Sequence, residues 1–185
     1  MVRRSMRLSK PRLQPGDEFA TKNPMALGMA INTVQKAHAV DNESVYTHTG
    51  IIAAADGTTI EALWTVKRQN LWEAYEGERI LIVRNINMDP DVYAAGFKKI
   101  EPHLGQWYPV HRLVLHFLRV AKWIHWDKVV CSELTAKFEV GCAEHLGDDK
   151  TSGFMRTYYG VNPDNLVDRW MISRYYDIVF EGKIE

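Results

Sequence analysis

The stretch VYTHTGIIAAADGTTIEALWTV, residues 45–66, decides the fold. Two runs rich in β-branched and aromatic residues flank the pair Asp56-Gly57. An Asp-Gly pair between such runs is a strong signal for a β-hairpin, because the turn needs residues that tolerate positive φ. We therefore predict two antiparallel strands joined at this pair. The first strand carries His48 and the second carries Glu61.

Three more segments have the composition of strands. They are PGDEFA (15–20), RILIVRNI (79–86) and YYDIVFEG (175–182). Each is short and contains aromatic or β-branched residues, as strands do. Together with the hairpin they predict an antiparallel sheet.

Helix starts are marked by three Asx-Pro pairs, because Asn or Asp suits the N-cap and proline suits the first helical position. The pairs are Asn23-Pro24, Asp89-Pro90 and Asn162-Pro163. A further helix is predicted over residues 109–126, and another begins near Cys131. The helices and strands follow one another without an obvious linker, which predicts one mixed α+β domain in which a small antiparallel sheet packs against helices.

Composition narrows the class of protein. The chain has 185 residues, 46% of them hydrophobic, with 23 basic and 23 acidic side chains. A basic N-terminal arm, residues 1–13, precedes a domain over residues 14–185. With zero net charge and no recognition motif, we expect no nucleic-acid partner. Two cysteines are too few for a disulfide scaffold.

The sequence also bears on location. No apolar run reaches the roughly 18 residues of a transmembrane helix. The N-terminal residues carry arginines but lack the apolar core of a secretory signal. We therefore expect a cytoplasmic protein as synthesised, borne by a phage or exported by a specialised route if it acts elsewhere.

Cys131 stands in VVCSELT, residues 129–135, where the helical pattern starts. One interpretation is a small apolar core residue, since cysteine is among the most buried residue types. The other is a nucleophile, because unpaired N–H groups and the helix dipole in a first turn favour a thiolate. The same N–H groups can hold an oxyanion during acyl transfer.

A nucleophilic cysteine needs a base, and His48 is the best candidate. It lies in a strand pattern, and Gly50 two positions later allows close approach of another backbone segment or of a substrate. Glu61 falls on the paired strand, where diagonal neighbours can meet. It can therefore orient the histidine as the third member of a triad. The alternative is a half-exposed strand histidine beside a solvated glutamate.

Other candidate residues are weaker. His125 lies close to Cys131 in the sequence and is a rival base. His111 and His116 are five positions apart without an HExxH pattern, so no metal site is expected. Cys142 is expected to be a buried, inert thiol.

Five segments in this order resemble the circularly permuted NlpC-type papain-like proteins of the YiiX/YebB kind, which are related to lecithin retinol acyltransferase-like proteins. The segments are LQPGDEF, YTHTGII, TIEALW, GQWYP and VVCSELT. In this group the histidine strand precedes the cysteine helix. The resemblance covers residues 14–140, and YYGVNPDNLVDRW near the C-terminus also resembles a segment of such chains.

The resemblance implies a permuted papain-like fold with its nucleophile at a helix N-terminus. It makes Cys131 the nucleophile, His48 the general base and Glu61 the third polar residue, and it assigns Tyr108 to the oxyanion. Pro109 stands where the group has an aspartate, which leaves the substrate open.

Three functions follow as hypotheses. The first is a cysteine amidase or peptidase that cleaves a cell-wall-type peptide or muropeptide through an acyl-thioester, without a cofactor or metal. The second is a lipid acyltransferase or thiolesterase of the lecithin retinol acyltransferase type, which takes a lipid acyl donor. The third is a non-catalytic module that binds peptide or glycan.

Overall fold

The computed structural model describes residues 10–22, 46–107, 129–147, 153–154 and 161–184. Within these ranges six strands form one antiparallel sheet. They are β1 (Glu18–Thr21), β2 (His48–Ile52), β3 (Thr58–Ala62), β4 (Val66–Asn70), β5 (Arg79–Asn85) and β6 (Tyr176–Lys183). Their order across the sheet is β4-β3-β2-β1-β5-β6. The predicted α+β class is confirmed.

The helices of the described residues are α1 (Leu71–Ala74), α2 (Pro90–Ile100), α3 (Cys131–Leu146) and α4 (Pro163–Ile172), with a short 3-10 helix over Glu101–His103. The starts of α2 and α4 were predicted from Asx-Pro pairs. Asp89 caps α2 and Asn162 caps α4 through their side-chain oxygens, which accept backbone N–H bonds. The helices predicted after Asn23-Pro24 and over 109–126 lie outside the described residues.

No helix in the described part of the chain is long and apolar enough to cross a membrane. Most of the arm over residues 1–13 falls outside the described ranges, so the proposed domain boundary stays a prediction.

One strand prediction was partly wrong. The run after Asp56-Gly57 was expected to continue as one strand to residue 66, but β3 ends at Ala62 and β4 begins at Val66. The Leu63 N–H donates to the Thr65 carbonyl at 3.1 Å, which reverses the chain between the two strands. β4 then pairs antiparallel with β3, and the short α1 follows it.

The long helix α3 packs against α2 and against β2, so most of its side chains are buried. Alternation along β2 divides its residues between the two faces of the sheet. Ile51 packs in the cluster that contains Leu134 and Phe138 of α3. Ile52 packs instead with Phe19 on the other face. The start of α3 and the first residue of β2 are thereby held near one end of the sheet.

A pair of buried carboxyl groups joins the middle of α3 to the sheet. Glu18 and Glu139 are both fully buried. The Tyr176 hydroxyl donates to Glu139 Oε1 at 2.9 Å and lies 3.4 Å from Glu18 Oε1, and Trp170 Nε1 donates to Glu139 Oε1 at 2.9 Å. Burial raises the pKa of Glu18 well above its usual value, and the neighbouring Glu139 raises it further. Burial also raises the pKa of Glu139, against the opposing influence of Arg169.

We expect Glu139→Gln to stabilise the protein at alkaline pH. Below the ordinary carboxyl pKa, Glu18 and Glu139 are protonated in both the folded and the unfolded chain. Above it, the unfolded chain releases these protons while the folded chain retains them. The free energy of unfolding therefore falls as pH rises, until the raised pKa values are passed. Glutamine keeps the oxygen that accepts from Trp170 and Tyr176, and its amide can donate to Glu18. The variant should gain about 1–3 kcal/mol near about pH 8 and little near about pH 4.

Denaturant unfolding of both proteins across this pH range measures the effect. The matched control is Glu144→Gln on the same helix, because Glu144 is exposed and pairs with Lys99 at the surface. A pH-independent difference between Glu139→Gln and the natural protein would contradict the expectation.

Candidate active site

Cys131 is the first residue of α3, as the sequence predicted. Val130 has the extended backbone of an N-cap residue, and its N–H donates to Glu133 Oε2 at 3.3 Å. Valine has no side-chain acceptor, so it does not cap the helix N–H groups from its side chain. The cysteine is 3% exposed. A thiol in the first turn of a long helix lies where the helix dipole stabilises negative charge.

Threonine hydroxyls connect the cysteine helix to the histidine strand. Thr135, one turn after Cys131, places its Oγ1 3.2 Å from the Thr49 hydroxyl and 3.2 Å from the Cys131 carbonyl oxygen. Thr49 is the immediate neighbour of His48 on β2. Ser132 also donates to the Val161 carbonyl at 2.7 Å. The Thr135–Thr49 contact joins the start of α3 to β2, and the Ser132 bond ties it to the segment before α4.

His48 and Glu61 form a buried pair. Ile51 lies opposite Ile60, so the register continued by one residue places Gly50 opposite Glu61 and makes His48 a diagonal neighbour. His48 Nε2 lies 2.7 Å from Glu61 Oε2, and both side chains are fully buried. An ionised carboxylate can only accept, so Nε2 carries the hydrogen and donates it.

The Glu61 carboxylate has two further donors. Thr59, two positions earlier on the same face of β3, donates to Oε1 at 2.5 Å. The hydroxyl of buried Tyr75, which follows α1, donates to Oε2, the oxygen that also accepts from His48. Burial raises the pKa of Glu61, but the bonds from His48, Thr59 and Tyr75 outweigh burial and lower it. The carboxylate is therefore held in its ionised form.

His48 interacts electrostatically with both this carboxylate and the Cys131 thiol. Burial lowers the pKa of His48, but interaction with Cys131 and Glu61 more than reverses this and raises it to about 10. The second ring nitrogen, Nδ1, makes no hydrogen bond of regular geometry to any described residue. Since Glu61 occupies Nε2, Nδ1 is the His48 nitrogen that is left without such a bond. The arrangement favours an imidazolium beside the thiol.

Gly50 allows these residues to approach one another. Phe19 of β1 lies opposite Gly50, and its ring packs on the same face as His48 and Tyr75, with centroid distances of 6.1 and 5.7 Å. A Cβ atom on Gly50 would lie 2.6 Å from the Phe19 ring and 3.0 Å from the Glu61 Cβ. The space predicted beside this glycine is filled by the ring and the glutamate.

We therefore expect Gly50→Ala to cost about 1–3 kcal/mol of stability, because a well-packed site must shift to admit the methyl group. Glu61 or the Phe19 ring must move, so any activity that depends on the His48–Glu61 bond should fall as well. Thermal denaturation measures the first effect. Gly182→Ala is the matched control, since the Cβ added there would meet only the half-buried Phe180 ring, at 3.1 Å. Equal melting temperatures for the two variants would contradict the expectation.

Other predicted site residues have different outcomes. Tyr108, the oxyanion candidate, lies outside the described residues, as does the rival base His125. His111 and His116 also fall outside them. Cys142 is fully buried in α3, and burial raises the pKa of its thiol, as do Glu18 and Glu139. Its predicted burial is confirmed.

Three residues of the site were missed by reasoning from the sequence: Thr59, Tyr75 and Thr135. The period of two along a strand places Thr59 on the same face as Glu61, so it could have been found. The spacing of four in a helix likewise places Thr135 on the face of Cys131. Tyr75 carries no such signal, because it follows a short helix whose position depends on the unpredicted strand β4.

The fold of this chain is similar to that of a protein of known structure. No protein-family model matches the chain, and no curated protein matches it with significance. Among solved structures it is similar to the metalloprotein yiiX from Escherichia coli O157:H7, with 16% sequence identity and a TM-score of 0.62. The match covers 93% of this chain and 99% of that chain. The chain therefore has a YiiX-like fold, and at this identity the likeness extends to the fold alone.

Proposed function

We propose that this protein is a cysteine hydrolase that cleaves an amide bond, in a peptide of cell-wall type, through an acyl-thioester intermediate. The observation that carries the proposal is a cysteine at the first position of a helix that interacts electrostatically with a buried histidine, whose Nε2 bonds a glutamate. A structural cysteine gains nothing from this placement. Nucleophile, base and orienting carboxylate are the parts that acyl transfer requires. The substrate class rests on the resemblance to permuted NlpC-type proteins.

In the proposed reaction the Cys131 thiol gives its proton to His48, and the thiolate attacks the carbonyl carbon of the amide. The carbon–sulfur bond forms and the carbonyl oxygen becomes an oxyanion. When the carbon–nitrogen bond breaks, the leaving amine takes the proton from His48. The histidine then removes a proton from water, whose oxygen attacks the thioester, and the carbon–sulfur bond breaks to release the acid. Glu61 holds the imidazole in the required tautomer throughout.

The oxyanion would be stabilised at the start of α3. Backbone N–H groups in the first turn of a helix have no intrahelical acceptor, and they point toward its N-terminus, where Cys131 lies. Tyr108 remains the proposed side-chain donor to the same oxyanion, on the strength of the resemblance.

The yiiX protein is described as a metalloprotein. Within the described ranges no group of three or more His, Cys, Asp or Glu side chains is placed to hold a metal ion. The Thr59 and Tyr75 hydroxyls already donate hydrogen bonds to the two Glu61 oxygens, and a metal ion would have to displace them. These residues do not form a metal site, and no step of the proposed reaction uses one.

The proposal is tested by intact mass spectrometry after incubation with muropeptides. The natural protein should gain the mass of the peptide acyl group, and Cys131→Ala should not. Cys142→Ala is the matched control and should keep the adduct, because that thiol is buried away from the site. Absence of any adduct and any cleavage in the natural protein would overturn the proposal.

The same experiment separates the alternatives when phospholipid and thioester acyl donors replace the muropeptides. A fatty acyl adduct on Cys131 without a peptide adduct would make the protein a lipid acyltransferase or thiolesterase. Binding of peptide or glycan without any turnover would make it a non-catalytic module.

A further inference from the structure

Tyr75 has a hydroxyl that the proposed reaction does not use. It is buried, and it donates to Glu61 Oε2, the oxygen that accepts from His48. Its ring lies 6.1 Å from the His48 ring and 5.7 Å from that of Phe19. Tyr75 therefore contacts the inner end of the Cys131–His48–Glu61 arrangement from a segment that carries none of the three.

The chemistry of a buried carboxylate explains what this hydroxyl can do. A carboxylate without water is destabilised, and beside an imidazolium it tends to accept the proton and leave two neutral groups. Two hydroxyl donors, one on each oxygen, oppose this transfer because they bond the ionised form. The proton then stays on His48, where it can balance a thiolate at Cys131.

The other groups around Glu61 do not supply this effect. On the neighbouring strand β4, Lys67 lies opposite Glu61 in register, but it is exposed to solvent, where its charge is screened. Across Gly50 of β2, the Phe19 ring on β1 lies near Glu61, and it is uncharged. Among the described residues that bond Glu61, the hydroxyls of Thr59 and Tyr75 are thus the donors other than His48 itself.

We propose that Tyr75 is a positioning residue of the active site, which keeps Glu61 ionised and turned toward His48, and that Thr59 supports the same carboxylate from its other oxygen. The inference rests on the proposed function of Cys131 and His48. Tyr75 does not touch the substrate in this role. It acts through Glu61, and its loss changes the pH at which the thiol becomes reactive.

The test is the pH dependence of Cys131 alkylation by iodoacetamide, which needs no substrate. In Tyr75→Phe the ring remains and the hydroxyl is lost, so Glu61 takes a proton at a higher pH and His48 then loses its partner. The acid limb of the alkylation profile should move to higher pH by about one unit, because the free energy of one hydrogen bond to a charged group corresponds to about that shift. Thr59→Val should move the same limb in the same direction. The matched control is Tyr93→Phe, which removes a half-buried hydroxyl on α2 and should leave the limb in place.

A merely structural role would lower the melting temperature without moving the limb. If Tyr75→Phe and Thr59→Val both fold and keep the natural alkylation profile, the inference is wrong, whatever their melting temperatures. If either variant fails to fold, the other decides. Failure of the proposed function has a different signature, since the natural protein itself would then form no acyl adduct and Cys131 would react no faster than Cys142.

Discussion

Replacing His48 by glutamine should lower amide hydrolysis by about 10²–10⁴-fold, the range that general acid–base catalysis contributes. Glutamine keeps a donor for Glu61 at a similar reach but cannot exchange a proton with Cys131. The variant also loses the imidazolium that favours the thiolate, so thiol alkylation near neutral pH should slow in parallel. Steady-state cleavage of a muropeptide measures the first effect, and mass spectrometry of the alkylated protein measures the second.

The control for this prediction is His145→Gln, because His145 is exposed in the last turn of α3. It should leave both rates unchanged. His125→Gln decides between the two candidate bases. If that variant lost hydrolysis while a folded His48→Gln protein kept it, the base would have to be reassigned.

At neutral pH, Cys131 should react with iodoacetamide at least about 10²-fold faster than Cys142. The thiolate is the reactive form of cysteine. Cys131 lies in the first turn of α3 and interacts with His48, whose pKa is raised to about 10. Cys142 lies on the same helix in an apolar site, where burial raises the pKa of its thiol. The two cysteines therefore serve as an internal comparison under identical conditions.

Peptide mapping after a timed quench assigns the label to each cysteine, and denaturant provides the reference in which both should react alike. His48→Gln should reduce the difference, because one of its two causes is removed. Equal labelling of the two thiols in the folded protein would show that the environment of Cys131 does not activate it.

Local signals predicted much of this fold. The Asp56-Gly57 turn and the proline-marked starts of α2 and α4 depend on neighbouring residues in the chain, so a single sequence reveals them. The start of α3 at Cys131 was predicted in the same way. The division of residues 58–70 into β3 and β4 was not, because the reversal at residues 63–65 follows from pairing between strands rather than from a turn motif.

The candidate site divides along the same line. The sequence predicted that His48 and Glu61 are neighbours, because a hairpin fixes which residues lie side by side. Their contact follows from the hairpin register. Tyr75 contacts the same carboxylate from outside the hairpin, and no periodic pattern in the sequence predicts this contact. The buried pair of Glu18 and Glu139 was missed for a similar reason, since glutamate in a sequence reads as a surface residue.

The hydroxyl contact between Thr135 and Thr49 has a consequence for newly made chains. His48 and Cys131 are far apart in the sequence, and the helix start reaches the strand only when α3 docks on β2. Contacts between such distant segments are slow to form, because the loop between them must first be closed. In a nascent or partly folded chain, Cys131 therefore lacks the surroundings of the folded site. The proposed nucleophile acquires them only when α3 docks on β2. The cell would then meet the proposed reactive thiol only in the folded protein.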